Sequence, residues 1–151
     1  GDFDGDGIDD LALYDAEGHA GQPAGSWYFM QSTAGTVDAL FGYAGTKPVV
    51  GDFDGDGIDD YGVYDADGLE GWAVPGSWYV MQSSAGFQTV DFGYAGSVPV
   101  VGDFDGDGKD DYGIYDAAGL FGQPAGSWYL MQSKEGFVEK AFGYNGTDPI
   151  R

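Results

Sequence analysis

At 151 residues, with 42% hydrophobic and 17% aromatic content, the chain is too apolar to stay disordered and long enough to bury a core. Its 26 acidic residues are set against only Lys47, Lys109, Lys134, Lys140 and Arg151, a formal charge of −21 that argues against nucleic acid and anionic membrane surfaces as partners, because such a chain repels phosphate. With no cysteine there is neither a disulfide framework nor a thiolate metal site, and no run of about 18 apolar residues offers itself for membrane insertion.

The chain opens on Gly1 without an initiator methionine, as expected of a processed chain or an excerpt of a longer one. Its first element, GDFDGDGIDD at residues 1–10, returns at 51–60 and, as GDFDGDGKDD, at 102–111. Three repeats follow from this spacing, 1–50, 51–101 and 102–151, and a period near 50 residues points to a propeller or an array. After each acidic turn comes a short run mixing small and bulky residues: Leu11 to Tyr14, Tyr61 to Tyr64 and Tyr112 to Tyr115. A glycine-rich loop leads to the runs Ser26 to Met30, Ser77 to Met81 and Ser127 to Met131, rich in aromatic and branched residues and bounded by glycines, which read as strands. A tight turn then gives a third strand ending at Phe41, Phe92 and Phe142. Finally Pro48-Val49-Val50 and Pro99-Val100-Val101 predict a short strand entering the next acidic turn, with proline where a missing N–H is tolerated. Helical periodicity is absent, and four short strands per repeat is the pattern of a β-propeller blade. The expected class is all-β, three four-stranded blades in a ring or array completed by other copies.

Within each acidic turn the spacing places oxygen donors at the positions of an EF-hand-type calcium loop. The candidates are Asp2, Asp4, Asp6, the carbonyl of Ile8 and Asp10 in the first copy, and Asp52, Asp54, Asp56, Ile58 and Asp60 in the second. The third copy offers Asp103, Asp105, Asp107, Lys109 and Asp111. A seventh-position residue supplies only its carbonyl, so lysine there is harmless. Four converging carboxylates oppose folding unless a divalent ion turns their repulsion into a crosslink. Zinc is disfavoured by the lack of cysteine and by the single histidine, His19, which Leu69 and Leu120 replace in the other copies. Magnesium tolerates a crowded all-protein oxygen cage poorly, which leaves calcium, one structural ion per repeat. Asp9, Asp59 and Asp110, at position eight, are expected to face solvent. An EF-hand proper and a dockerin are excluded, because position twelve is Leu13, Val63 or Ile114 instead of glutamate and the flanks are not helical.

The combination PVVGDFDGDGIDDYGVYDADG, GSWYVMQSSAGF and FGYAG resembles the FG-GAP or VCBS-type repeat of integrin α-subunit propellers and many secreted bacterial proteins. The resemblance covers the whole chain. It implies that the calcium loop joins the innermost strand of a blade to its second strand, and that the module serves adhesion, recognition or scaffolding outside the cell, without catalysis. About four to eight blades close a propeller, and this chain carries three repeats. The first repeat lacks the strand before its acidic turn, and Asp148-Pro149-Ile150-Arg151 is an equivalent strand with no turn after it. Head-to-tail self-association, as a closed ring or a filament, is therefore expected.

Trp27, Trp78 and Trp128 recur at one place in every repeat, which favours packing between blades over sugar stacking. The variable loop, with His19 and Ala20, then Leu69, Glu70 and Trp72, then Leu120 and Phe121, is a candidate contact surface for a subunit, protein or glycan, or else folds back over the blade edge. Asn145-Gly146-Thr147 is a glycosylation sequon. No nucleophile recurs with a base, so no enzyme activity is expected; a calcium-dependent lectin is the alternative to a structural or adhesive module.

Overall fold

The computed structural model describes residues 1–71 and 73–150. Among these, eleven strands form three antiparallel sheets, and the helical content is confined to the 3-10 turns Leu69–Gly71 and Leu120–Gly122. The first sheet holds β1 (Leu11–Asp15), β2 (Ser26–Gln31) and β3 (Gly35–Leu40), in that order. β4 (Lys47–Gly51) crosses to the second sheet, where it pairs with β5 (Asp60–Asp65), followed by β6 (Ser77–Gln82) and β7 (Gly86–Asp91). β8 (Val98–Gly102), β9 (Asp111–Asp116), β10 (Ser127–Gln132) and β11 (Gly136–Ala141) make the third. The all-β expectation holds. Each sheet boundary precedes the repeat boundary, so the second and third sheets draw their first strand from the preceding repeat. The first sheet has three strands, and residues 147–150 are not a strand and join no sheet among the described residues.

Local chemistry explains the sheets. Tyr14 stands opposite Trp27, Tyr64 opposite Trp78 and Tyr115 opposite Trp128, with ring centroids 5.0, 4.9 and 5.0 Å apart, the aromatic cross-strand pairing that stabilises a sheet. Each indole N–H donates to the carbonyl of the phenylalanine after the third strand: Trp27 to Phe41 at 2.9 Å, Trp78 to Phe92 and Trp128 to Phe142 at 2.7 Å. Those strands end one residue before the phenylalanine, whose N–H instead donates to the carbonyl of Gly25, Gly76 or Gly126 at 3.0 Å. Glycine is required there: φ at Gly76 is 88°, and a Cβ would lie 2.2 Å from the carbonyl carbon of Gly93.

The core lies between sheets. The first and second sheets each turn a tryptophan-bearing face to the sheet that follows. Trp27 and Phe29 of the first sheet bury Val63 of the second. Val49, Phe53, Tyr64, Trp78 and Val80 of the second pack with Val101, Ile114 and Tyr129 of the third. Tyr61 and Tyr112 are the matching wedges. Tyr61 sits 5.5 Å from Trp27 and 5.7 Å from Phe41, and Tyr112 sits 4.7 Å from Phe53 and 5.3 Å from Trp78. Trp27 and Trp78 are buried between sheets, and β4 lies against β8.

Candidate metal centre

Each acidic turn is wound around its first carboxylate. Between β4 and β5, Asp52 Oδ1 accepts from the N–H of Gly55 at 2.6 Å and Asp56 at 3.2 Å, and Oδ2 accepts from Gly57 at 2.8 Å. Asp2 and Asp103 repeat this arrangement in their own turns. The curl needs left-handed backbone at Gly55 and Gly57, φ 80° and 88°, which explains the glycines at those positions.

The ninth-position carboxylate locks the turn to the sheet. Asp60, almost fully buried, accepts from Phe53 N–H at 3.0 Å with one oxygen and from Ser83 N–H, in the β6–β7 hairpin, at 2.7 Å with the other. Asp10 and Asp111 do the same with Phe3 and Ser32, and with Phe104 and Ser133. Burial, joined by the charges of Asp54 and Asp52, pushes the Asp60 carboxyl up to about 6, and burial raises Asp111 likewise.

The hairpin forms the second wall, and its residues are ones that sequence reasoning missed. Ser32, Ser83 and Ser133 donate hydroxyl hydrogens to Asp6, Asp56 and Asp107 at 2.5, 2.8 and 2.7 Å. The first of these bonds, with the Thr33 hydroxyl, holds Asp6 below the ordinary carboxylate range. Ser84 donates both its N–H and its hydroxyl to Asp54 Oδ2; burial is the largest single influence on the Asp54 carboxyl and raises it, but these bonds together with the N–H groups of Ala85 and Asp56 leave it lowered. The signal was present: the serine of "MQS" recurs in all three repeats.

The third-position aspartates point inward with one oxygen left over. Oδ1 of Asp4, Asp54 and Asp105 is buried and has no hydrogen-bond donor among the described residues. Carboxylate oxygens of Asp2, Asp4 and Asp6 come within 4.8 Å of one another, as do those of Asp52, Asp54 and Asp60, and of Asp103, Asp105 and Asp111. First and third positions thus converge in every copy, joined by the fifth in the first turn and the ninth in the others. Asp10, Asp56 and Asp107 stand outside these triplets, held by the serine bonds above. Ile58 and Lys109 lean on the preceding turn, Ile58 Cδ1 lying 3.0 Å from where a Cβ on Gly5 would be and Lys109 Cγ 2.9 Å from that of Gly55. Ile8, in the first turn, is exposed. All-oxygen donor sets with an unpaired buried carboxylate oxygen fit a hard divalent cation of calcium type.

Position eight requires a correction. Asp9 is exposed as expected, but Asp59 and Asp110 are not solvent residues. Asp59 Oδ2 accepts from Asp2 N–H at 2.8 Å, while Asp59 N–H donates to the Asp2 carbonyl at 2.7 Å. Asp110 makes the same two-way clasp with Asp52, at 3.0 and 2.7 Å. The eighth residue faces away from its own turn and therefore toward the preceding one. In the variable loop, Leu69 and Leu120 seat on the preceding repeat at Gly45 and Gly96, and His19 bonds to Asp15 at 2.8 Å. Phe121 stays exposed, and Trp72 lies outside the described residues.

No family model matches the chain, and neither the curated proteins nor the solved structures yield a match.

Proposed function

We propose that the three acidic turns bind calcium and that the chain is a calcium-braced β-propeller segment of the FG-GAP or VCBS type, working outside the cell as a structural, assembly or adhesion module. The observation that carries this reading is the orphaned carboxylate oxygen, which recurs on Asp4, Asp54 and Asp105. A buried anionic oxygen without a donor costs about 1–3 kcal/mol or more, and one such cost per repeat is sensible only if a cation offsets it. First- and third-position carboxylates would hold the ion, and the hairpin serines would orient the fifth. The ion's work is mechanical: it ties the entering strand to the next hairpin and neutralises repelling charge. Open extracellular sites of this class bind calcium at about 10⁻⁴ to 10⁻³ M, which matches the exterior of cells.

Isothermal titration calorimetry tests the reading. The wild-type chain should take up three calcium ions, and Asp54→Asn, which supplies an amide where the orphaned oxygen lies, should take up two. Terbium luminescence excited through the neighbouring tyrosines should fall in parallel. A wild-type chain that takes up none at millimolar calcium would refute it.

A further inference from the structure

We infer that the outer faces of the first and third sheets are the two halves of the interface found twice inside the molecule, so that a second copy docks head to tail with its first sheet on the third. The inference extends the assembly reading above and does not depend on which ion fills the turns.

Both internal junctions use the same contacts, and at the third sheet their donor half is present and open. The position-eight clasp joins Asp59 to Asp2 and Asp110 to Asp52. Among the described residues Asp103 makes no corresponding bond, while the side chain of Asp9, its complement, is 91% exposed and has a 4.0 Å ion pair to the Gly1 amino group. The Tyr43 hydroxyl donates to Asp65 Oδ2 and that of Tyr94 to Asp116 Oδ2, both at 2.7 Å. Tyr144, next in that series, is exposed, and its complement Asp15 uses Oδ2 for a single bond, from His19 N–H. Leu69 and Leu120 fill the space beside Gly45 and Gly96, whereas among the described residues nothing lies within 4 Å of a Cβ on Gly146.

The apolar surfaces match in the same way. Val63 and Ile114, 1% exposed, are the leading-face residues that the preceding sheet buries, and their counterpart Leu13 is 70% exposed. Tyr61 and Tyr112 wedge into that sheet, and their counterpart Leu11 is 68% exposed. On the other side, Phe104, Tyr115, Trp128, Leu130, Phe142 and Tyr144 line an open groove of about 640 Å³. These are the counterparts of Phe53, Tyr64, Trp78, Val80, Phe92 and Tyr94, which the third sheet covers. Residues 148–150 align with the start of β4 and would reach the free edge of β1 in the arriving copy, as β4 pairs with β5. The occupant is a second copy and not an unrelated ligand, because the open clasp, tyrosine and apolar groups of the third sheet have their partner types, Asp9, Asp15, Leu11 and Leu13, at the first sheet of the same chain. A heterologous contact of this kind closes into a ring or propagates as a filament according to its rotation.

Sedimentation velocity on the full chain in millimolar calcium tests this, with two variants on exposed side chains, Leu13→Asp on the first sheet and Phe142→Asp on the third. The wild type should associate with rising concentration, and each variant alone should be monomeric. An equimolar mixture of the two should give a one-to-one heterodimer, since one chain keeps an intact third-sheet face and the other an intact first-sheet face. Unchanged near-UV dichroism and calcium stoichiometry in both variants confirm that they fold. A wild type that stays monomeric at high concentration, a variant that still associates alone, or a mixture that remains monomeric would each overturn the inference. Calcium uptake is read separately, so a monomer with three bound ions sinks the interface alone, and an associating chain with empty turns sinks the metal reading alone.

Discussion

Trp78 and Trp128 occupy the same place in their repeats, face tyrosines at nearly the same distance and donate the same hydrogen bond, yet the first is wholly buried and the second lines an open groove. The difference comes from the neighbour and not from the residue. Asp59 and Asp9 make the same point in polar chemistry, one clasped to the preceding turn and the other in water. In a stacked array each unit is stabilised partly by itself and partly by the next unit, so equivalent side chains carry different energies.

Removing the ions should strike the part that every unit shares. At free calcium a hundredfold above Kd each site adds about 2.7 kcal/mol, so three add roughly 8, and excess chelator should lower Tm by about 20 °C. Differential scanning calorimetry would show it, and an unmoved melt would break the idea that the turns are alike in being ion-dependent.

The tryptophan comparison is sharpened by truncation. Trp78→Ala should cost about 3–5 kcal/mol in urea denaturation of the monomer, whereas Trp128→Ala should cost about half as much, because its open side has no packing to lose. Equal costs would mean that the groove is already filled.

Asp60 supplies a pH test on the chelated chain. Its carboxyl titrates at about 6 folded and at about 3.9 unfolded. Between those values the folded state keeps a proton that the unfolded state has released. Stability therefore falls as pH rises through the window, by a few kcal/mol in all. Asp60→Asn should flatten this component of the profile measured by urea denaturation. Calcium should reverse it, since the ion replaces the proton.

The smallest effect concerns the clasp. Asp59→Ala leaves the Asp2 N–H without its acceptor and should cost about 1–3 kcal/mol, while Asp9→Ala in the monomer should stay within about 0.5 kcal/mol. Chemical denaturation of both variants at low protein concentration compares them directly.

Much of this was legible before any coordinates. The strands between acidic turn and "FGY" fell where aromatic and β-branched runs placed them, because the side-chain pattern of a strand packed between sheets is local. That the carboxylates at positions one and three converge was legible because oxygen spacing in a tight turn is local too, whereas whether the fifth or the ninth joins them differs between copies and was not. The serines were overlooked, since Ser83 lies 27 residues from Asp56 and only the hairpin's return brings them together. Asp59 and Asp110 were misread as solvent residues, because a position pointing out of its own turn can still point into another.

By itself, then, the sequence determined the repeat, the strand chemistry and the turns that gather carboxylates, since each depends on residues close in the chain. Tertiary structure alone decided which sheet receives β4, which aspartates become clasps and which tryptophan is left half open. Those outcomes depend on the stacking of one sheet on the next, and in a repeat the same residues meet different neighbours at the middle and at the ends.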